Sequence, residues 1–173
     1  MPVRALDWRE SPVGPLIAAA TDEALCLLEF SDAAAVSQRL AELGRHYAGS
    51  VRPGSNGILD ELWHQLEQYF RGERREFTLP LVYPGTQFQE QVWSALQEIG
   101  HGETWSYLDL ARRIGDIGAT RAVGAANGAN PIAIVIPCHR VVNANGDLGG
   151  YGGGLWRKRI LLDLERGQGR LPF

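Results

Sequence analysis

Near its C-terminal end the chain runs through five apolar residues, 132–136, straight into Pro137-Cys138-His139-Arg140, and then into a stretch, 143–154, in which six of twelve residues are glycine. The apolar run reads as buried, so it delivers the Cys138 thiol to a fixed, partly buried place. The glycines downstream let backbone N–H groups approach a ligand closely. A thiol attacks as its thiolate and needs a base or a positive neighbour near neutral pH. His139 can be that base, directly or through one water. Glu165 and Asp163 on the last helical segment are candidates to orient it. Against this stands the plainer alternative of an inert buried cysteine beside an ordinary glycine turn. Cys26, in Leu25-Cys26-Leu27-Leu28 with no histidine or basic residue near it in sequence, reads as structural.

The 173 residues are 45% hydrophobic and 21% charged, which excludes wholesale disorder, collagen-like repeats and coiled coil. The length suits one domain, or two small ones sharing an interface. No apolar run approaches the roughly 20 residues of a membrane span, and Met1-Pro2-Val3-Arg4 opens no signal peptide. A cytoplasmic protein without membrane contact is expected. Two cysteines make no disulfide scaffold, and neither CxxC nor HExxH occurs, so neither a metal nor a cofactor is expected. The net charge of −3 argues against a simple polycation, but it hides an asymmetry. Residues 1–85 carry 8 basic and 12 acidic side chains, residues 86–173 carry 9 and 8, and Lys158 is the single lysine. If the chain binds nucleic acid, its second half does so through a few placed arginines.

Residues 3–9, 16–20 and 25–30 read as strands, parted by turns at Ser11-Pro12-Val13-Gly14-Pro15 and Thr21-Asp22-Glu23. Asp32 is the expected cap of a helix carrying Val36, Leu40 and Leu43 and ending at Gly44. Residues 52–57 read as a loop. Residues 58–70 form a second helix with Leu59, Leu62, Trp63, Leu66 and Phe70 on one face, and residues 77–81 a short strand. The Tyr83-Pro84-Gly85 turn coincides with the charge shift and marks the expected boundary. The fold class expected is therefore α+β: a small N-terminal sheet-and-helix domain, 1–85, and a mainly helical C-terminal domain, 86–173.

In the second half, Thr86 can cap a helix through Ile99, with Phe88, Val92, Trp93, Leu96 and Ile99 facing inward. Residues 106–114 and 119–127 make two short helices joined by Gly115-Asp116-Ile117-Gly118, which fits either a helix-turn-helix or a hairpin that packs a core. Residues 155–165 close the chain as a helix with Leu155, Ile160, Leu161 and Leu164 on its apolar side. Arg121 at a helix N-terminus opposes the helix dipole, so it does not serve helix stability. It can reach a phosphate, enter a base stack, or be merely solvated. The small residues around it, Ala119, Ala122, Gly124, Ala125, Ala126 and Gly128, allow close approach to a neighbouring helix or a DNA groove. Tyr107 is either a core aromatic or a phenol aimed at a ligand.

Ile136-Pro137-Cys138-His139-Arg140-Val141 resembles the active-site signature of the O6-alkylguanine-DNA alkyltransferases, also called methylated-DNA–protein-cysteine methyltransferases. Gly102-Glu103-Thr104-Trp105-Ser106-Tyr107 is similar to that family's G-x-x-x-S-Y segment, and Ala119-Thr120-Arg121-Ala122-Val123-Gly124 to its recognition helix. Asn130-Pro131 resembles its hinge, Gly149 to Leu155 the loop over its pocket, and Leu161-Leu162-Asp163-Leu164-Glu165 its closing helix. The resemblance covers residues 86–167 in order. The first half joins only loosely, through Ser11-Pro12-Val13-Gly14 and its strand-rich start.

The resemblance implies a stand-alone DNA-repair protein that moves an alkyl group from O6 of guanine irreversibly onto its own cysteine. Cys138 would attack the alkyl carbon, His139 would deprotonate it through a water, and Glu165 would orient His139. Tyr107 would donate to guanine N3. The carbonyls of Cys138 and Val141 would accept from the exocyclic amine, and the Gly152 N–H would face O6. Gly152 departs from the serine common in the family, which keeps a backbone donor but loses any hydroxyl contact. Tyr151 would wall the alkyl pocket, with Gly153 in the same loop, and Lys158 matches a basic position of the closing helix. The target base must leave the stack. Arg121 would fill the gap, Ala122, Ala125 and Ala126 would enter the minor groove, and Asn130 would tie this helix to the cysteine segment. The implied partner is double-stranded DNA bearing O6-alkylguanine, with O4-alkylthymine a further candidate lesion, bound by a monomer. Some members hold zinc near the N-terminus; no matching Cys/His set occurs here. Two other classes remain: a recognition module that binds alkylated DNA without transfer, and a Cys-His thiol enzyme acting on a small substrate.

Overall fold

The structure, a computed structural model, describes residues 2–47 and 51–167. Strands β1 (Ala5–Arg9), β2 (Leu16–Ala20) and β3 (Leu25–Phe30) form an antiparallel meander. A two-residue strand, β4 (Arg52–Pro53), joins β1 in parallel inside the expected loop, giving the order β3-β2-β1-β4. The first turn closes because the Ser11 hydroxyl donates to the Gly14 carbonyl at 2.6 Å while Gly14 takes φ +93°. The second closes on Thr21 Oγ1, which accepts from the N–H groups of Glu23 and Ala24.

β3 lies at the sheet edge, yet all six of its residues are buried. Two extended segments cover its free edge. The Leu25 and Leu28 N–H groups donate to the carbonyls of Pro80 and Pro131, and the Val82 and Ala133 N–H groups return to the carbonyls of Leu25 and Leu28. An edge covered in this way needs no polar alternation. The strand expected at 77–81 is thereby reduced to a single bridge, Leu25 with Leu81. Pro80 supplies a carbonyl but has no N–H to continue a ladder. The apolar run 132–136 likewise makes one bridge, Leu28 with Ile132, and then turns.

Helix α1 spans Val36–His46, but its cap is Ala35, without a side-chain bond. Asp32 instead pairs with Arg157 of the last helix at 2.8 Å. Helix α2 (Gly57–Phe70) is capped by Asn56, whose side chain accepts from the Leu59 N–H at 3.0 Å. It buries the face read from the sequence together with Tyr69. Thr86 and Gln89 form a reciprocal capping box at the start of α3 (Gln87–Leu96). That helix stops short of Ile99 in tighter turns, and the Ile99 carbonyl is taken by Arg140 at 2.6 Å. Helices α4 (Tyr107–Arg113) and α5 (Thr120–Gly128), joined through a 3-10 turn at Ile117–Ala119, pack on each other and on α3.

A short parallel pair, β5 (Trp105–Ser106) with β6 (Val141–Val142), precedes α4 and follows the cysteine. In α6 (Leu155–Glu165) the buried positions are Arg157, Lys158, Leu161, Leu162, Leu164 and Glu165. Leu155, expected on the apolar side, is 51% exposed, because the buried stripe begins two residues later, at Arg157. One continuous buried cluster runs from Leu16 and Phe30 through α2 to Trp93, Val123, Ile136 and Leu161. A second, smaller one holds Val3, Ala19, Cys26, Leu27 and Leu43. The Cys26 thiol donates to the Ala19 carbonyl there, and burial pushes its pKa up to about 12, as befits a structural cysteine.

Candidate active site

Cys138 opens a 3-10 turn, Cys138–Arg140, at the end of the apolar run. Asn130 fixes that run from inside: its side-chain oxygen accepts from the Ile132 N–H at 2.9 Å and its amide donates to the Ile136 carbonyl at 2.8 Å. Asn127, on α5, donates to the Cys138 carbonyl at 3.4 Å. Between them Ile134 adopts φ +70°, a left-handed conformation that costs a β-branched residue on the order of 1–3 kcal/mol. Burial pushes the Cys138 thiol up to about 11; a hydrogen bond with Asn130 opposes this and the charge of Glu29 adds to it. At neutral pH the resting thiol is therefore protonated and needs a base at the moment of attack.

The candidate base stands next in sequence. His139 is fully buried, and its Nε2 lies 2.9 Å from Glu165 Oε2. A carboxylate only accepts, so Nε2 carries a proton and Nδ1 is the ring nitrogen left to exchange one. Nδ1 is buried without a protein partner. Glu165, rather than Asp163, makes this contact. It also accepts from the Tyr69 hydroxyl at 2.7 Å and from Arg140 Nε and Nη2 at 2.8 and 2.9 Å. Burial acts to raise the Glu165 pKa, but His139 and Arg140 outweigh it and hold the carboxyl far below the usual carboxylate range.

A cavity of about 500 Å³ opens over the thiol, lined by Cys138, Tyr107, Asn143 and residues 149–153. Tyr107 is the first residue of α4, set there by a capping box between Ser106 and Asp109. Gly149 takes φ +70° beneath the Tyr107 ring, and a Cβ on it would stand 3.3 Å from the phenol oxygen. Gly153 packs on Phe30, where a Cβ would fall 2.5 Å from the ring. At Gly152 a Cβ would meet only open space. The Tyr151 ring meets Phe30 edge-on at 6.0 Å, and its hydroxyl is buried without a partner.

Lys158 lies beneath this loop, fully buried, rather than on an outward face. Its ammonium donates to the carbonyls of Val141 at 2.6 Å, Gly150 at 3.1 Å, and Leu148. Burial lowers its pKa to about 8. The Val141 carbonyl accepts from Lys158, and the Cys138 carbonyl accepts both from Asn127 and from the Val141 N–H.

On α5, Arg121, Ala122, Ala125 and Gly128 share one exposed face. Ala126, grouped with them in the sequence, is instead buried, and its carbonyl accepts from Trp93 Nε1 at 2.8 Å. The face turned outward is therefore narrower than the run of small residues suggests. Among the described residues no group of three or more His, Cys, Asp and Glu side chains could hold a metal ion.

Four contributors were not anticipated from the sequence: Glu29 and Phe30, which bring β3 to the cavity wall, and Tyr69 and Arg140, which hold Glu165. Glu29 carried a signal, being the one charge in the otherwise apolar Leu25-Cys26-Leu27-Leu28-Glu29-Phe30.

Residues 8–83 match the family model described as 6-O-methylguanine DNA methyltransferase, ribonuclease-like domain, and residues 87–167 the one described as 6-O-methylguanine DNA methyltransferase, DNA binding domain. A methylated-DNA–protein-cysteine methyltransferase of Mycobacterium leprae is 46% identical over 159 residues, 92% of this chain and 90% of that protein. An inducible methyltransferase of the same name from Bacillus subtilis is 48% identical over 122 residues, 70% of this chain and 68% of that protein. The crystal structure of Mycobacterium tuberculosis OGT in complex with DNA superposes with a TM-score of 0.83 at 42% identity, covering 96% of this chain and 95% of that one.

Proposed function

The chain belongs to the 6-O-methylguanine DNA methyltransferase family, and from that premise we propose that it repairs duplex DNA by moving the alkyl group of a flipped-out O6-alkylguanine onto Cys138, once per molecule. The observation that carries this is the buried thiol at the foot of a cavity, followed directly by a histidine whose Nε2 is fixed by Glu165 and whose Nδ1 is free to accept. His139 Nδ1 takes the thiol proton through one water. Sulfur forms its bond to the alkyl carbon as the O6–carbon bond breaks, and that bonding pair passes to O6. The charge developing on guanine is met by the Tyr107 hydroxyl at N3 and the Gly152 N–H at O6. The carbonyls of Cys138 and Val141 hold the exocyclic amine. Tyr151 and Gly153 bound the alkyl group, and Lys158 supports the loop that carries them.

Arg121 fills the vacancy left by the extruded base, with Ala122 and Ala125 against the minor groove. Asn130 couples that helix to the cysteine turn. All of these groups come from one chain, which supports action as a monomer. The two free thiols suit a reducing compartment such as the cytoplasm, and no helix among the described residues is long and apolar enough to cross a membrane. In the same reading residues 1–85 are the scaffold and residues 86–173 carry DNA binding and transfer.

The test is intact mass after mixing the protein with excess duplex DNA containing O6-methylguanine, for wild type and Cys138→Ala. The expected result is one added methyl on wild type, none on the variant and no second equivalent. DNA binding without mass gain would replace this reading with a recognition module. Absence of both, with turnover of a small thiol-reactive substrate, would replace it with a hydrolytic or redox enzyme.

A further inference from the structure

We propose that Glu29 makes the alkyl pocket selective by charge, admitting neutral alkyl groups and rejecting anionic ones of the same size. The inference rests on the reading of Cys138 as the alkyl acceptor. Among the described residues that line the cavity, Glu29 is the only one with a carboxyl group, and none is a lysine or arginine. Glu29 reaches the cavity from the end of β3, beside Phe30, on the wall contributed by the N-terminal sheet.

Its carboxyl is held in place: burial raises its pKa above the ordinary carboxylate value, while the Phe30 N–H and the charges of Arg39 and Arg157 oppose that pull and favour the ionised form. Oε1 accepts from the Phe30 N–H at 2.9 Å. Oε2 lies 3.6 Å from Arg39 Nε, beyond hydrogen-bond reach, and both side chains are less than a tenth exposed. Arg39 turns its Nη2 away, donating to the Gly128 carbonyl at the end of α5 at 2.9 Å. The other cations nearby make their hydrogen bonds elsewhere. Arg157 serves Asp32 and the carbonyls of Val13 and Gly153, and Lys158 serves three loop carbonyls. Burial dominates the upward shifts of the Cys138 thiol and the Tyr151 phenol; the Glu29 charge adds to both, while the charges of Lys158 and Arg157 oppose it more weakly at Cys138 and Tyr151 respectively, so the Glu29 field reaches the two groups that would flank an alkyl substituent.

An anionic substituent on O6 would be stripped of water in this cavity, find no cation on its walls and face a second carboxylate. A neutral group of equal size meets none of these costs. Carboxymethyl and carbamoylmethyl differ in this respect and are nearly the same shape.

The test measures single-turnover transfer from duplexes carrying O6-carbamoylmethylguanine or O6-carboxymethylguanine at pH 8, by wild type, Glu29→Gln and Glu29→Asp. Glutamine keeps an acceptor for the Phe30 N–H without the charge; aspartate keeps the charge. Wild type is expected to prefer the neutral adduct by about tenfold or more, glutamine to reduce that ratio at least about fivefold, and aspartate to preserve it. Taking the ratio within each protein removes any general loss of activity or stability. Equal rates for the two adducts in wild type overturn the proposal, as does a ratio in Glu29→Gln within about twofold of wild type. If Glu29→Gln does not fold, the wild-type and aspartate ratios still decide. Failure of the alkyl-acceptor reading has a different signature, since wild type would then take no methyl from O6-methylguanine.

Discussion

At the scale of single residues, the site sets a thiol that resists ionisation next to a histidine whose proposed role is to ionise it. Burial holds Cys138 up at about 11, so thiolate is scarce until a base acts. Glu165 fixes Nε2 as the protonated nitrogen of His139 and leaves Nδ1 as the acceptor. Such a thiol is protected from stray electrophiles, an advantage if it reacts once and is consumed. The measurable consequence lies in the free protein. Labelling of Cys138 by iodoacetamide, followed by peptide mapping, is expected to be slow at pH 7 and to climb through pH 9 toward a midpoint of about 11. A midpoint near the ordinary thiol value of about 8.5 would mean that the resting site already holds thiolate.

At the scale of elements, α5 presents a narrow exposed face with Arg121 at its leading end, and the Arg121 side chain makes no hydrogen bond or ion pair among the described residues. A residue that fills the gap behind an extruded base contributes only when there is a stack to fill. Arg121→Ala is thus expected to slow methyl transfer from duplex DNA by roughly 10–100-fold while slowing transfer from a single-stranded oligonucleotide far less, because unstacking costs a few kcal/mol only in the duplex. Equal losses on both substrates would assign Arg121 to phosphate contact instead. The elements also show what could be read from the letters. The cap at Thr86 was legible because its partner, the Gln89 N–H, lies three residues on, while Ser106, read as the first residue of its helix, is in fact its cap. Asp32 misled because its partner, Arg157, is 125 residues away. The segment 77–81 misled because its only ladder contact is with β3, far back in the chain. Cys138, His139 and Glu165 were legible by resemblance to a signature. Glu29 and Tyr69 were not, since their roles arise only when β3 and α2 meet the cysteine turn.

At the scale of the whole molecule, two buried charges knit the halves together. Arg157 binds the Val13 carbonyl of the first turn, the Gly153 carbonyl of the active-site loop and Asp32, with its guanidinium 4.5 Å from the ring centres of both Phe30 and Trp156. Glu165 gathers α2 through Tyr69, the cysteine turn through His139 and Arg140, and, by way of Arg140, the end of α3 at Ile99. The carboxylate that holds His139 is thus also a keystone of the fold, and its contribution depends on pH with a definite sign. The folded-state pKa of Glu165 is depressed, so the unfolded chain takes up the proton first as pH falls. The stability Glu165 supplies is present in full above the unfolded value of about 4.3 and drains away as pH drops below it toward the folded value. Glu165→Gln leaves Arg140 buried without its carboxylate and is expected to cost about 3–5 kcal/mol at pH 7. Urea unfolding of both proteins between pH 7 and pH 2.5 should show that gap narrowing steadily below about pH 4, because acid weakens the wild type and has no carboxylate to titrate in the variant. A gap that stayed constant across the range would mean that Glu165 is not the ionised centre of this network, and that His139 is oriented by shape alone.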